Sequence, residues 1–251
     1  MRGENMPNWC YTDYRFYADT DVGKEQLAKF YATLTYAIRE EKRRILRSDF
    51  GDKWLGNVIL EFCPQNFTLT KDSITCTYNG TDVRFRGSII YLEITDEDTN
   101  DPYISVQTET AWEPMYDMWD MILAECGFTD IKYVYSSEEP GMGIYINTDK
   151  KGKFFSEKYR VEVYISDEFY CNETQYFNSD KEALDYLNEV IKNLREEYKH
   201  NSKAYSLPQD YSTRGLRKQQ SINKALEVLE KNLFSWHGCD GYVSFAEYTS
   251  E

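Results

Sequence analysis

The chain is poor in histidine: His200 and His237 are the only two in 251 residues. A Ser-His-Asp or Cys-His catalytic arrangement must use one of them, because imidazole supplies the general base. His200, between Lys199 and Asn201, reads as a surface residue. His237 lies in Trp236-His237-Gly238-Cys239-Asp240, but no second His/Cys pair completes a metal site. The six cysteines are Cys10, Cys63, Cys76, Cys126, Cys171 and Cys239, and none forms a Cys-x-x-Cys pair. They read as buried thiols acting as small apolar residues. No uninterrupted apolar run approaches the roughly 20 residues of a membrane helix. The first ten residues have neither the basic nor the apolar region of a secretory signal. Without that route the Asn-x-Thr sequons at Asn66, Asn79 and Asn172 carry no meaning. No Gly-x-Gly-x-x-Gly or Gly-Lys-Ser/Thr loop is present to cradle a phosphate.

Positive charge is also short. Against 43 acidic side chains stand 29 Lys and Arg, a formal net charge of −14. The excess is local: residues 51–150 hold 18 acidic and 6 basic side chains. Such a field repels phosphate backbones and anionic headgroups, so neither direct nucleic-acid nor membrane binding is expected. It attracts basic surfaces and speeds encounter with them, and the plainer reading is a solvated acidic face that keeps the chain in solution.

Large side chains are abundant. Aromatics make up 16% of the chain and tyrosine fills 22 positions, enough burial to offset the ordering entropy that keeps other acidic chains disordered. Residues 9–18 alternate as a strand, with Cys10, Thr12, Tyr14 and Phe16 on one side and Tyr11, Asp13, Arg15 and Tyr17 on the other. Asp19-Thr20-Asp21 offers N-cap chemistry to a helix carrying Leu27, Phe30, Tyr31, Leu34 and Ile38 on one face, with the charged run 39–44 at its end. Residues 48–58 read as a loop with a short helical turn. Strands are predicted at 74–78, 83–94 and 103–109, separated by the Asn79-Gly80 hairpin signal and an acidic connection. Trp112-Glu113-Pro114 opens a second helix, with Pro114 at its first position and Gly127 as its cap. Further strands are expected at 131–135, 143–147, 159–166 and 169–177. A capping box at Ser179-x-x-Glu182 then starts the first of two helices, and a strand closes the chain at 242–248.

This order predicts an α+β fold: a ferredoxin-like core with a mostly antiparallel sheet, plus C-terminal helices. The expected boundaries are 6–177 for that core and 178–251 for a helical extension packed on it.

Other candidate chemistries are weak. Asp240-Gly241-x-Val243-x-x-x-Glu247 matches half a calcium loop, but Trp236 and Gly238 occupy the first ligand positions. The adjacent carboxylates Glu40-Glu41 and Glu138-Glu139 lack the opposed geometry of glycosidases. Arg84-Phe85-Arg86 and Tyr14-Arg15-Phe16-Tyr17 interleave aromatic and basic residues like a base-stacking strand, a pattern that also describes one core-facing side of a sheet. Trp9 and Trp112 are each expected to bury a large apolar surface.

Met6-Pro7-Asn8-Trp9-Cys10, followed directly by a strand, resembles the opening of the YubB-like family of plasmid- and phage-borne proteins. Trp54-Leu55-Gly56-Asn57, Thr110-Ala111-Trp112-Glu113-Pro114 and the 135–141 stretch with its Glu139-Pro140-Gly141 are similar to further segments of that family. The resemblance spans residues 6–165 and makes Met1–Asn5 an extension. It implies a ferredoxin-like domain and a mobile-element setting, and no reaction, cofactor or catalytic residue.

The expectation is therefore a cytoplasmic, non-enzymatic interaction protein of a phage or mobile element, such as a counter-defence inhibitor, docking an acidic surface on a basic host protein. The candidate partner-binding residues are Glu93, Asp96, Glu97, Asp98 and Asp101. No catalytic residue, cofactor or metal is assigned. The alternatives are a carboxylate- or metal-dependent hydrolase or nuclease, and an aromatic small-ligand or peptide-binding module.

Overall fold

The structure, a computed structural model, describes residues 8–39, 51, 53–70, 74–95, 101–165, 171–201, 216–230 and 241–250. It divides into two compact units, Met1–Lys150 with Ser250–Glu251, and Lys151–Thr249.

The first unit is built on a five-stranded sheet in the order β5-β6-β1-β7-β8, every neighbouring pair antiparallel. Its strands are β1 (Trp9–Tyr17), β5 (Gly87–Ile94), β6 (Tyr103–Ala111), β7 (Lys132–Glu139) and β8 (Ile144–Asn147). Between β1 and β5 lie α1 (Asp21–Ala37), α2 (Leu55–Phe62) and the short strands β2 (Phe67–Leu69), β3 (Ile74–Tyr78) and β4 (Thr81–Asp82), while α3 (Tyr116–Glu125) joins β6 to β7. The period-2 pattern of β1 is realised, with Cys10, Thr12, Tyr14 and Phe16 buried and Tyr11 exposed. Tyr14 and Phe16 meet Trp119 of α3 edge-on, and Phe16 packs on Phe30 of α1. Leu27, Leu34, Leu55, Val58, Ile59, Met118 and Ile122 complete a core on this side of the sheet.

Several local expectations meet different outcomes. The Thr20 side chain accepts from Gly23 N at 3.0 Å and starts α1. That helix ends at Ala37, before the charged run, of which residues 40–44 lie outside the described residues. Residues 55–62 form a full helix, not only a turn, because Trp54 lies over Gly56 and anchors its start. The Asn79-Gly80 turn takes positive φ at both residues, 52° and 79°. Pro114 is not the first residue of α3, which begins at Tyr116. Gly127 at φ 70° ends that helix.

In the second unit β10 (Cys171–Phe177), β9 (Tyr159–Ile165) and β11 (Gly241–Glu247) form an antiparallel sheet in that order. The helices α4 (Asp180–Asn201) and α5 (Lys218–Glu227) pack on it through Val161, Val163, Leu187, Ile191, Ile222 and Val243. Ser179 caps Glu182 N at 3.3 Å, while the Glu182 carboxylate reaches back to Asn178 N at 3.1 Å. The division at 150/151 differs from the expected 177/178, because β9 pairs with β10 on one side and with the chain's last strand on the other, and neither pairs with the first sheet. Residues 241–247 are therefore strand, not calcium loop, and 231–240 lie outside the described residues.

The molecule is α+β with mostly antiparallel strands in three sheets and helices in its C-terminal part. Beyond the expected ferredoxin-like core, the first unit's sheet has a fifth strand and its first crossover carries α2 and a small sheet of its own. No described helix is long and apolar enough to cross a membrane.

Candidate functional site: an acidic, tyrosine-bearing sheet face

The side chains of β1 that turn away from the helices are Tyr11, Asp13, Arg15 and Tyr17. In register beside them on β6 stand Glu109, Gln107, Ser105 and Tyr103. Across β7 the partners of Tyr11, Asp13 and Arg15 are Glu138, Ser136 and Val134. From β5, Tyr91 and Glu93 pair with Gln107 and Ser105 and extend the same face. Tyr11 is 51% and Tyr91 43% exposed, unusual for rings of this size.

Two tyrosine–carboxylate pairs organise this surface. The Tyr11 hydroxyl donates to Glu109 Oε1 at 2.8 Å, and the Tyr91 hydroxyl donates to the Glu93 carboxylate. Each bond holds its phenol in the protonated form and raises the tyrosine pKa. The bonds also fix each carboxylate beside an exposed ring. Arg15 is ion-paired with Asp13 at 3.5 Å, and Lys132 with Asp19 at 2.7 Å, so both cations already have acidic neighbours.

Of the predicted partner-binding residues, Glu93 lies on this face of β5 and is exposed, and Asp101 is exposed just before β6. The Thr95 N–H donates to the Tyr103 carbonyl at 2.9 Å, which holds the two ends of their connection together. Asp96, Glu97 and Asp98 fall outside the described residues. Sequence reasoning missed Tyr11, Tyr91 and Glu109 as a group. The signal was the outward half of the β1 alternation, but the partners come from other strands.

Three of the four motif segments converge elsewhere, at one end of the same sheet. Trp112 N donates to Asn8 O at 2.9 Å, and Thr110 Oγ1 donates to Glu113 O at 2.7 Å. Cys10 Sγ lies 3.0 Å from Ser137 Oγ, which is 2.8 Å from Thr12 Oγ1. The buried Glu139 carboxylate accepts from Gly141 N at 3.1 Å and from Met142 N. A Cβ at Gly141 would lie 2.7 Å from Asn8 Nδ2 and 2.9 Å from Glu139 Oε1, so a side chain there would displace the ends of both. Burial pushes the Cys10 thiol pKa up, with the Glu139 charge adding to it. A thiol held protonated is a poor nucleophile, and this cluster ties strand ends together.

Trp112 departs from its expected burial. It is 41% exposed at a φ of 71°, with the Arg86 guanidinium 4.4 Å from its ring centroid. The backbone hydrogen bond to Asn8 holds it in this left-handed conformation. Trp9 is half-buried. The base-stacking pattern resolves into core: Phe85 packs on Trp54 and Phe67, and Tyr14 and Phe16 are fully buried. Among the described residues no group of three His, Cys, Asp or Glu side chains is arranged to hold a metal ion. His237 is outside the described residues, as are the side chains that follow Glu196 in α4. Comparison of the chain with protein-family models, with curated proteins and with solved structures found no match in any of the three.

Proposed function

We propose that the protein is a non-enzymatic interaction protein that docks the acidic, tyrosine-bearing face of its first sheet on a basic surface of another protein. The observation that carries this reading is the pair of exposed tyrosine–carboxylate contacts, Tyr11–Glu109 and Tyr91–Glu93, on strands joined through β6. Rings in such positions offer cation–π contact to Lys and Arg, and the carboxylates beside them supply complementary charge and register. Tyrosine is also among the residue types that dominate binding energy when it is covered at an interface. Asp101, exposed just before β6, adds an acidic charge at the start of that strand. The setting that fits the YubB-like resemblance is a phage or plasmid, where such a protein inhibits a host factor by covering its basic surface.

The test is affinity capture from host cells at low and high ionic strength, using the wild-type chain and the E93Q/E109Q double variant. The expected result is capture of a protein with a defined basic surface, released by salt and lost from the variant. Capture indifferent to both salt and the double substitution overturns the reading.

A further inference from the structure

The outer edge of β5 adds a second means of attachment. Along this strand the first half of that edge is already used. Ser88 forms a bridge with Trp54, the Ile89 N–H donates to Lys53 O at 3.0 Å, and the Gly87 N–H turns to Phe85 O at 3.1 Å. The register then shifts between Ile89 and Tyr91, a bulge that ends this cover. Beyond it, Thr95 donates to Tyr103 O, so Thr95 and Glu93 face β6. Antiparallel alternation turns the backbone groups of Leu92 and Ile94 the other way. Among the described residues nothing pairs with those outward groups. Ile90, Tyr91 and Glu93 beside them are exposed.

We propose that β5 accepts an added strand from its partner along residues 90–94, an extended segment that alternates Lys or Arg with β-branched apolar residues. The inference rests on the docking reading above and specifies how the partner is held. Main-chain bonds to Leu92 and Ile94 supply affinity that is independent of sequence, and alternate side chains supply selectivity. One side of the added strand stands level with Tyr91 and Glu93, where basic residues meet a carboxylate and a ring. The other side lies beside the half-buried Leu92 and Ile94, where apolar residues extend the core. The exposed Glu93 carboxylate beside this edge disfavours an acidic strand there.

Amide hydrogen exchange of the full chain tests this, with a short synthetic peptide of alternating arginine and valine as the probe and its glutamate–valine counterpart as control. Without peptide, the Leu92 and Ile94 amides are expected to exchange faster than those of Glu93 and Thr95. With arginine peptide at saturation they slow by about tenfold or more, while the control peptide leaves them unchanged. L92P, which removes one outward N–H and leaves the bonds to β6 in place, is expected to lose peptide binding with Glu93 still protected. If the peptide binds in a salt-dependent way but Leu92 and Ile94 stay fast, strand addition is wrong and the docking face stands. A peptide that does not bind also overturns strand addition, while the docking reading is judged by capture with E93Q/E109Q. Protection of the same amides that rises with protein concentration alone assigns the edge to a second copy and overturns the proposed occupant.

Discussion

Gly56 stands where no side chain fits. A Cβ there would lie 2.4 Å from the Trp54 ring, which is itself 2% exposed and packed on Phe67 and Phe85. Gly56→Ala must push the indole out of this position and is expected to cost about 1–3 kcal/mol, read as a lower urea midpoint at unchanged slope. The thiols give a second residue-scale expectation. Burial raises the Cys76 pKa from 9.0 to about 11, and the pKa values of Cys10, Cys63 and Cys126 are raised by the same cause. A folded pKa above the unfolded value makes the contribution complete below about pH 9 and lost as pH rises through about 11. Urea midpoints should therefore fall across that interval, and Cys76→Ala should flatten part of the fall. Midpoints constant from pH 8.5 to 11, roughly the range in which thiols titrate, contradict the assignment.

At the scale of elements, helix starts depend on single side chains. Thr20 satisfies Gly23 N and lies 3.4 Å from Asp130 Oδ1, so it joins the first turn of α1 to the approach to β7. Thr20→Ala is expected to cost about 1 kcal/mol, and Thr20→Ser to restore most of it, both measured by thermal unfolding. Equal loss in the two variants would place the cost outside the cap. The strands are decided differently. Their outward faces alternate as the sequence indicates, but the edge available for pairing on β5 depends on the bulge after Ile89 and on the cover given by Lys53 and Trp54.

For the whole molecule, the boundary near residue 150 reflects two separate cores. The second contains Val161, Val163, Ala183, Leu187, Ile191, Ile222, Ala225 and Val243, drawn from β9, two helices and the last strand. Residues 151–251 expressed alone are therefore expected to unfold cooperatively in urea, followed by far-UV circular dichroism. A chain ending at residue 230 lacks β11, leaves Val163 without its Val243 neighbour, and should lose that transition. A gradual, non-cooperative profile for residues 151–251 would show that the second core does not hold by itself. The charge acts at this scale too. Almost all of the acidic excess lies in residues 51–150, wholly within the first unit, so salt-sensitive association should follow that unit.

The sequence by itself determined the α+β class, most strand and helix positions, and which half of β1 faces away from the core. These follow from local periodicity, from turn residues such as Asn79-Gly80, and from the cap at Thr20. The domain boundary was not legible, because nothing near residue 177 signals that β9 will pair with a strand about 80 positions later. The candidate site was legible only in part, since Glu93 and Asp101 were visible as acids but their company was not. Only the tertiary structure set Tyr11 against Glu109, 98 residues away, and closed Gly141 against Asn8. The physical reason is that alternation fixes the face a residue occupies, whereas sheet order and register fix its neighbours.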